Sequence, residues 1–142
     1  TMMATGRNIE RVCAFSDVLV GAVLVPGERS PQLVSRELVR SMKPRSVIVD
    51  VSIDQGGCFE TSRPTTHDQP TYVEEGVVHY CVPNMPGVVA RTATHGFVNA
   101  AIDYILEIAD LGVDQVIEKD PAIRAGVNTY KGELRNLTRL TQ

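Results

Sequence analysis

Two nearly continuous apolar runs, Ser16 to Val25 and Val47 to Ile53, constrain this chain more than any other feature. Each is rich in valine, leucine and isoleucine, and each stops at turn residues: Pro26-Gly27 after the first, Asp54-Gln55-Gly56-Gly57 after the second. Apolar runs without polar alternation belong to strands covered on both faces, the habit of parallel sheets in α/β folds. Parallel neighbours need a crossover, and the intervening segment offers one. Ser30-Pro31 supplies a cap and a proline at a first helical position, and Leu33, Val34, Leu38, Val39 and Met42 recur at helical spacing.

A third strand is expected at Val77 to Val82, stopped by Pro83-Asn84-Met85-Pro86-Gly87. The strongest helical pattern follows, opening near Thr92 or Thr94 and closing at Gly112, with Phe97, Ala101, Tyr104, Ile108 and Leu111 on one face. Between strands two and three, Gly56 to Gly76 reads as an irregular connection, and the tail from Ile123 to Gln142 as polar and weakly helical. Alternating strand and helix imply a doubly wound sheet, whose ligands sit beyond the carboxyl ends of the parallel strands. Those ends are expected at Val23-Leu24, Ile53-Asp54 and Asn84-Met85.

Composition narrows the function classes. A chain of 142 residues, 43% hydrophobic and 22% charged, can bury a real core. With 14 basic against 17 acidic residues the net charge is −3, so the field that draws phosphate backbones is missing and no nucleic-acid partner is expected. The apolar run Val18 to Val25 is far shorter than the roughly 20 apolar residues of a bilayer span, so no membrane role is expected. Cys13, Cys58 and Cys81 are odd in number and lack CxxC spacing, which argues against a disulfide framework and a thiolate metal site and favours a cytoplasmic setting. The chain starts at Thr1 without a secretory pattern, and the expectation is a trimmed start or a piece of something longer.

There is no GxGxxG, GxxxxGK[ST] or HExxH, so the usual dinucleotide and phosphate cradles and helical zinc sites are absent from these residues. Asp54 stands out as a carboxylate just past a buried strand, followed by glycines that let a ligand approach the backbone. The alternative is a plain turn residue, and for Asn84, between Pro83 and Pro86, the turn reading is the stronger. Cys58 has no histidine placed to activate it and reads as inert. His79 in a strand and His95 in the first helical turn suit structural roles, His67 an exposed loop position, and Glu107 a solvated helix face.

The strings GAVLVPG at 21–27, SMKPRSVIVDVSIDQGGCFETSRPTTHDQPTY at 41–72, HYCVPNMPG at 79–87 and NTYKGEL at 128–134 closely resemble the alanine dehydrogenase / pyridine nucleotide transhydrogenase family, on its alanine dehydrogenase side. The resemblance implies an α/β fold: the second half of a Rossmann-like doubly wound parallel sheet (residues 1–90, a partial NAD-binding domain), then a long linking helix and the C-terminal part of the substrate domain (91–142). It implies NAD-dependent interconversion of L-alanine with pyruvate plus ammonium, and a homo-oligomer, often a hexamer. The glycine-rich turn and the substrate-holding Arg, Lys and His would lie upstream of these residues. Carried over residue by residue, the cofactor strips are Val23 and Leu24; Val51, Ser52, Ile53 and Asp54; and Val82, Pro83, Asn84 and Met85. Asp54 is similar to the family's catalytic aspartate. Pro83 stands where alanine is common, which removes a backbone donor. Some members bind magnesium through a glutamate and a histidine one turn apart; here the pair is Glu107 and Leu111, and no metal is assigned. The second implied reading is a catalytically incomplete half domain that serves as an interaction module or a transhydrogenase-like subunit.

Overall fold

The computed structural model describes residues 1–136. They form two compact units that divide between Met85 and Pro86.

In the first unit, β1 (Val18–Gly21) and β2 (Val47–Asp50) pair in parallel from Val18 opposite Val47 to Gly21 opposite Asp50. On its other side β2 pairs in parallel with β4 (Val77–Tyr80), and β3 (Thr71–Glu74) adds to β4 antiparallel. The order β1-β2-β4-β3 therefore makes a mainly parallel sheet with β1 at one edge. Side chains alternate across a strand, so Ile48, Asp50, Val77 and His79 all fall on one face, and all four are fully buried. That face is covered by α1 (Gly6–Phe15) and α2 (Arg36–Arg40) through Cys13, Ile9, Val39 and Leu38, with Met42, Val34 and Phe59 filling between them. The opposite face differs from the two-sided cover expected of these runs: Val18 and Val20 are 55% and 64% exposed.

Local hydrogen bonding explains the other departures from the sequence reading. No helix starts at Ser30-Pro31; the cap is Ser35, whose hydroxyl accepts from the Leu38 amide. Leu33 and Val34 both donate to the Cys58 carbonyl (2.8 and 3.2 Å) and Glu60 donates back to Val34 (2.9 Å), which holds this segment extended beside 58–60. The first 15 residues, which carry no expected element, hold α1 behind the N-cap Thr5. The connection 56–76 is irregular only to Pro70. Beyond it, β3 and β4 form a hairpin whose two turn residues, Glu75 and Gly76, sit at φ 51° and 76°, the left-handed pair of a primed turn. Arg40 and Arg36 of α2 grip Glu75 at 2.9 and 3.0 Å and hold its carboxyl down at about 2.

The second unit contains a helical run, α3 (Ala90–Lys119), after a 3₁₀ turn at Met85–Val89. Gly112 breaks it at φ 74°, ψ 161°, so this glycine marks a kink where an end was expected, and the helix resumes to Lys119. Then come α4 (Pro121–Gly126), capped by Asp120, and a small hairpin, β5 (Thr129–Tyr130) with β6 (Glu133–Leu134). These replace the weakly helical tail of the sequence reading; residues 137–142 lie outside the described residues. Phe97 is 70% exposed, and Val98, Ile105 and Leu106 are exposed on other sides of α3. A helix apolar on several sides is built to be surrounded.

His79 has the satisfied environment of a core histidine. Its Nδ1 donates to the Val77 carbonyl at 3.0 Å, its Nε2 accepts from Thr61 Oγ1 at 2.7 Å, and its ring stacks on Tyr72 at 4.9 Å. Burial pushes its pKa below the ordinary histidine value. A base whose folded pKa lies below its unfolded value binds protons more readily when unfolded, so stability is lost as pH falls from the unfolded value of about 6.5 through the folded one. Urea unfolding of the chain at pH 5.5 should therefore show lower stability than at pH 7.5, and His79→Gln should flatten that slope. An unchanged slope in the variant would assign the pH dependence elsewhere.

Candidate functional site at the carboxyl edge of the sheet

Because β1, β2 and β4 are parallel, their carboxyl ends emerge on one edge, and the three segments singled out in the sequence leave from it. Val23 and Leu24 follow β1, Val51 to Asp54 follow β2, and Val82 to Met85 follow β4. The edge is built around Asp50. The buried strand ends there, four residues before the carboxylate that the sequence reading favoured, because the Asp50 side chain caps the next turn: Oδ1 accepts from the Ser52 amide at 3.0 Å. The chain then winds into a 3₁₀ helix, Val51–Gln55, closed by Gly56 at φ 97°.

The second Asp50 oxygen organises the glycine-rich loop. Oδ2 accepts from the Cys58 amide at 3.0 Å and from Ser62 Oγ at 2.6 Å. Gly57, at φ 75°, passes so close that a Cβ would lie 2.8 Å from this oxygen and 3.0 Å from Ser62 Cβ. Tyr72 extends the polar layer: its hydroxyl donates to the Thr61 carbonyl at 2.7 Å and accepts from the Arg63 amide at 2.9 Å. Buried carboxylates persist where such donors satisfy them. Asp50 is an organising residue of this edge that the sequence signals only as a carboxylate inside an apolar run, a position that charged residues occupy when partnered.

Asp54 is exposed, on the solvent side of the 3₁₀ helix. With Gln55 and Gly56 it lines one side of an open groove of about 450 Å³, and Gly27, Glu28 and Arg29 line the other. The Arg29 side chain lies over Gly56, where a Cβ would come within 2.5 Å of its Nε. The carboxylate thus lies neither under packed side chains nor on the far edge of the sheet. The ten residues carried over as cofactor contacts divide by burial. Leu24 is 66% exposed, and Val51, Asp54, Pro83 and Asn84 are also exposed. Val23 and Met85 are half-buried, while Ser52, Ile53 and Val82 turn their side chains inward. Asn84 takes φ 56°, the left-handed turn conformation that asparagine tolerates.

The edge presents an exposed leucine, turn backbone after three parallel strands, and a carboxylate at the rim, the place where open parallel sheets receive ligands. Glu107, on α3, pairs with Lys119 at 3.9 Å, and no group of three His, Cys, Asp or Glu that could hold a metal occurs among the described residues. No helix among those residues is long and apolar enough to cross a membrane.

Cys58 is buried, and burial together with the adjacent Asp50 carboxylate pushes its thiol up to about 12. Cys13 and Cys81 are buried and free as well. The thiolate is the reactive form. Iodoacetamide at pH 7.5 should therefore leave all three cysteines unmodified in the folded chain and label all three in urea, read by mass spectrometry. Labelling of Cys58 in the folded chain would contradict this environment.

Comparisons with known proteins agree with this architecture. The sequence model of the family described as alanine dehydrogenase/PNT, C-terminal domain, matches residues 1–137. Alanine dehydrogenase of Halomonas elongata is 51% identical over 134 residues, and that of Lysinibacillus sphaericus 52% identical over 135, each match covering 94% of this chain. A solved L-alanine dehydrogenase superposes with a TM-score of 0.75 at 49% identity over 92% of this chain. The transhydrogenase of Sinorhizobium meliloti superposes at 0.62, with 27% identity over 71% of the chain. The chain spans about a third of the length of these dehydrogenases, 36% in each case. These residues belong to the alanine dehydrogenase/PNT C-terminal domain family.

Proposed function

We propose that these residues form the C-terminal part of an NAD-dependent alanine dehydrogenase, which interconverts L-alanine with pyruvate plus ammonium. The observation that carries this reading is the placement of Asp54, exposed at the groove beside Gly27 to Arg29, at the edge from which all three parallel strands emerge. The 49% identity to a solved alanine dehydrogenase, against 27% to a transhydrogenase, favours it over a transhydrogenase-like subunit.

In this reading residues 1–90 are part of the NAD-binding domain, and residues 91–142 are the linking helix and the C-terminal part of the substrate domain. Leu24 offers apolar surface to the cofactor, and the turn backbones at Val51 to Asp54 and Val82 to Met85 lie along it. NAD, when bound, supplies hydride acceptance and donation. Asp54 acts at the other half of the chemistry, holding or moving a proton between its carboxylate and the amine of the substrate, with a cationic partner from the remainder of the longer protein. The groove is open on this chain alone, so the remaining length must close it and exclude water. A homo-oligomer in the cytoplasm fits the same reading.

The test is Asp54→Asn in the full-length protein, which keeps shape and removes charge. Alanine-dependent NADH formation should fall by about 10²- to 10⁴-fold, while NAD binding followed by fluorescence changes little. Unchanged turnover removes Asp54 from the chemistry. The 142 residues by themselves should bind NAD weakly and should associate through the open β1 edge, read by titration and light scattering. Tight binding by a monomer would contradict that.

A further inference from the structure

Past Gly21 and Asp50 the β1–β2 ladder ends, and both chains leave the sheet. A side chain takes over the work of the ladder. The Ser52 hydroxyl accepts from the Val23 amide at 2.7 Å and donates to the Val23 carbonyl at 2.9 Å, so it satisfies both backbone groups of a residue 29 positions away. Ser30 Oγ supports the same carbonyl at 3.1 Å, and the Ser30 amide donates to the Gln55 carbonyl at 2.9 Å. Ser52 is in turn fixed by its own amide on Asp50 Oδ1. The residue is 6% exposed and its hydroxyl is engaged with Val23, which leaves that hydroxyl little to offer a ligand.

Resting on the reading of this edge as the cofactor side of a dehydrogenase, we propose that Ser52 is a positioning residue whose side chain holds the edge and does not itself contact the cofactor. It locks the Val23–Leu24 strip to the 3₁₀ turn that carries Asp54. Two of the three strips that meet NAD are thereby held at one separation before the cofactor arrives. Preorganisation of this kind acts on binding, because a loose strip must be ordered each time the cofactor docks. Alanine at this position would leave the Val23 carbonyl its bond from Ser30, whereas the Val23 amide would lose its partner.

The experiment is Ser52→Ala in the full-length protein, beside Asp54→Asn. Loss of both hydroxyl hydrogen bonds, with the Val23 amide left without its partner, should raise the KM for NAD by about 5- to 10-fold, with a smaller fall in kcat. Hydrogen exchange at the Val23 amide, read on the peptide that contains it, should quicken by a similar factor while the β2 and β4 amides keep their protection. A role confined to stability would lower the melting temperature with KM for NAD unchanged in the folded enzyme, and that result overturns the proposal. If Asp54→Asn keeps wild-type turnover, the underlying reading of the site fails whatever Ser52 does. If Asp54→Asn loses turnover while Ser52→Ala leaves KM and Val23 exchange unchanged, only the role of Ser52 fails.

Discussion

A buried carboxylate organises the functional edge of the first unit. Asp50 ends β2, an inner strand of the sheet, and its two oxygens accept from Ser52, Cys58 and Ser62. A carboxylate with no solvent contact is costly unless donors surround it. Here those donors come from a tight turn and a loop that would otherwise have little to hold them. The 3₁₀ helix that displays Asp54, the left-handed Gly56 and Gly57, and the extended passage through Cys58 and Phe59 all start from this residue. Phe59 and Cys58 then complete the core beneath α1 and α2, so polar and apolar packing meet in the same segment.

The same arrangement separates the residues that hold the edge from those that can meet a ligand. Asp50, Ser52 and Ile53 point inward, while Val51 and Asp54 point out, because a turn of three residues distributes neighbouring side chains around its axis. Within one short string the chain thus carries both the support and the reactive group. The uncovered face at Val18 and Val20, and the apolar surface around α3, belong with a chain that spans about a third of its relatives' length. Each surface has the character of a packing face.

Much of this was legible in the residues. The runs at 16–25 and 47–53 and the strand at 77–82 announced a parallel sheet through their apolar continuity, and the turn signal Pro83-Asn84 placed the end of β4 closely, whereas β1 ends at Gly21, well before Pro26-Gly27. Element boundaries were less visible. The helix expected from Ser30 became α2 at Arg36, since backbone groups of Leu33 and Val34 are claimed by Cys58 and Glu60, residues distant in sequence. The hairpin at 71–80 was missed on its first strand because Thr71 to Glu74 is short, half polar and stabilised mainly by its partner.

What the sequence determined by itself is the class of fold, the family, and the position of an aspartate beyond a buried strand. Apolar patterning and local turn chemistry depend only on neighbours in the chain, so they can be read without coordinates. The tertiary structure decided which carboxylate is buried and which is exposed, that Ser52 faces Val23, and that one sheet face is left open. Burial and hydrogen-bond partnership arise between residues far apart in sequence, and only the folded chain brings them within bonding distance.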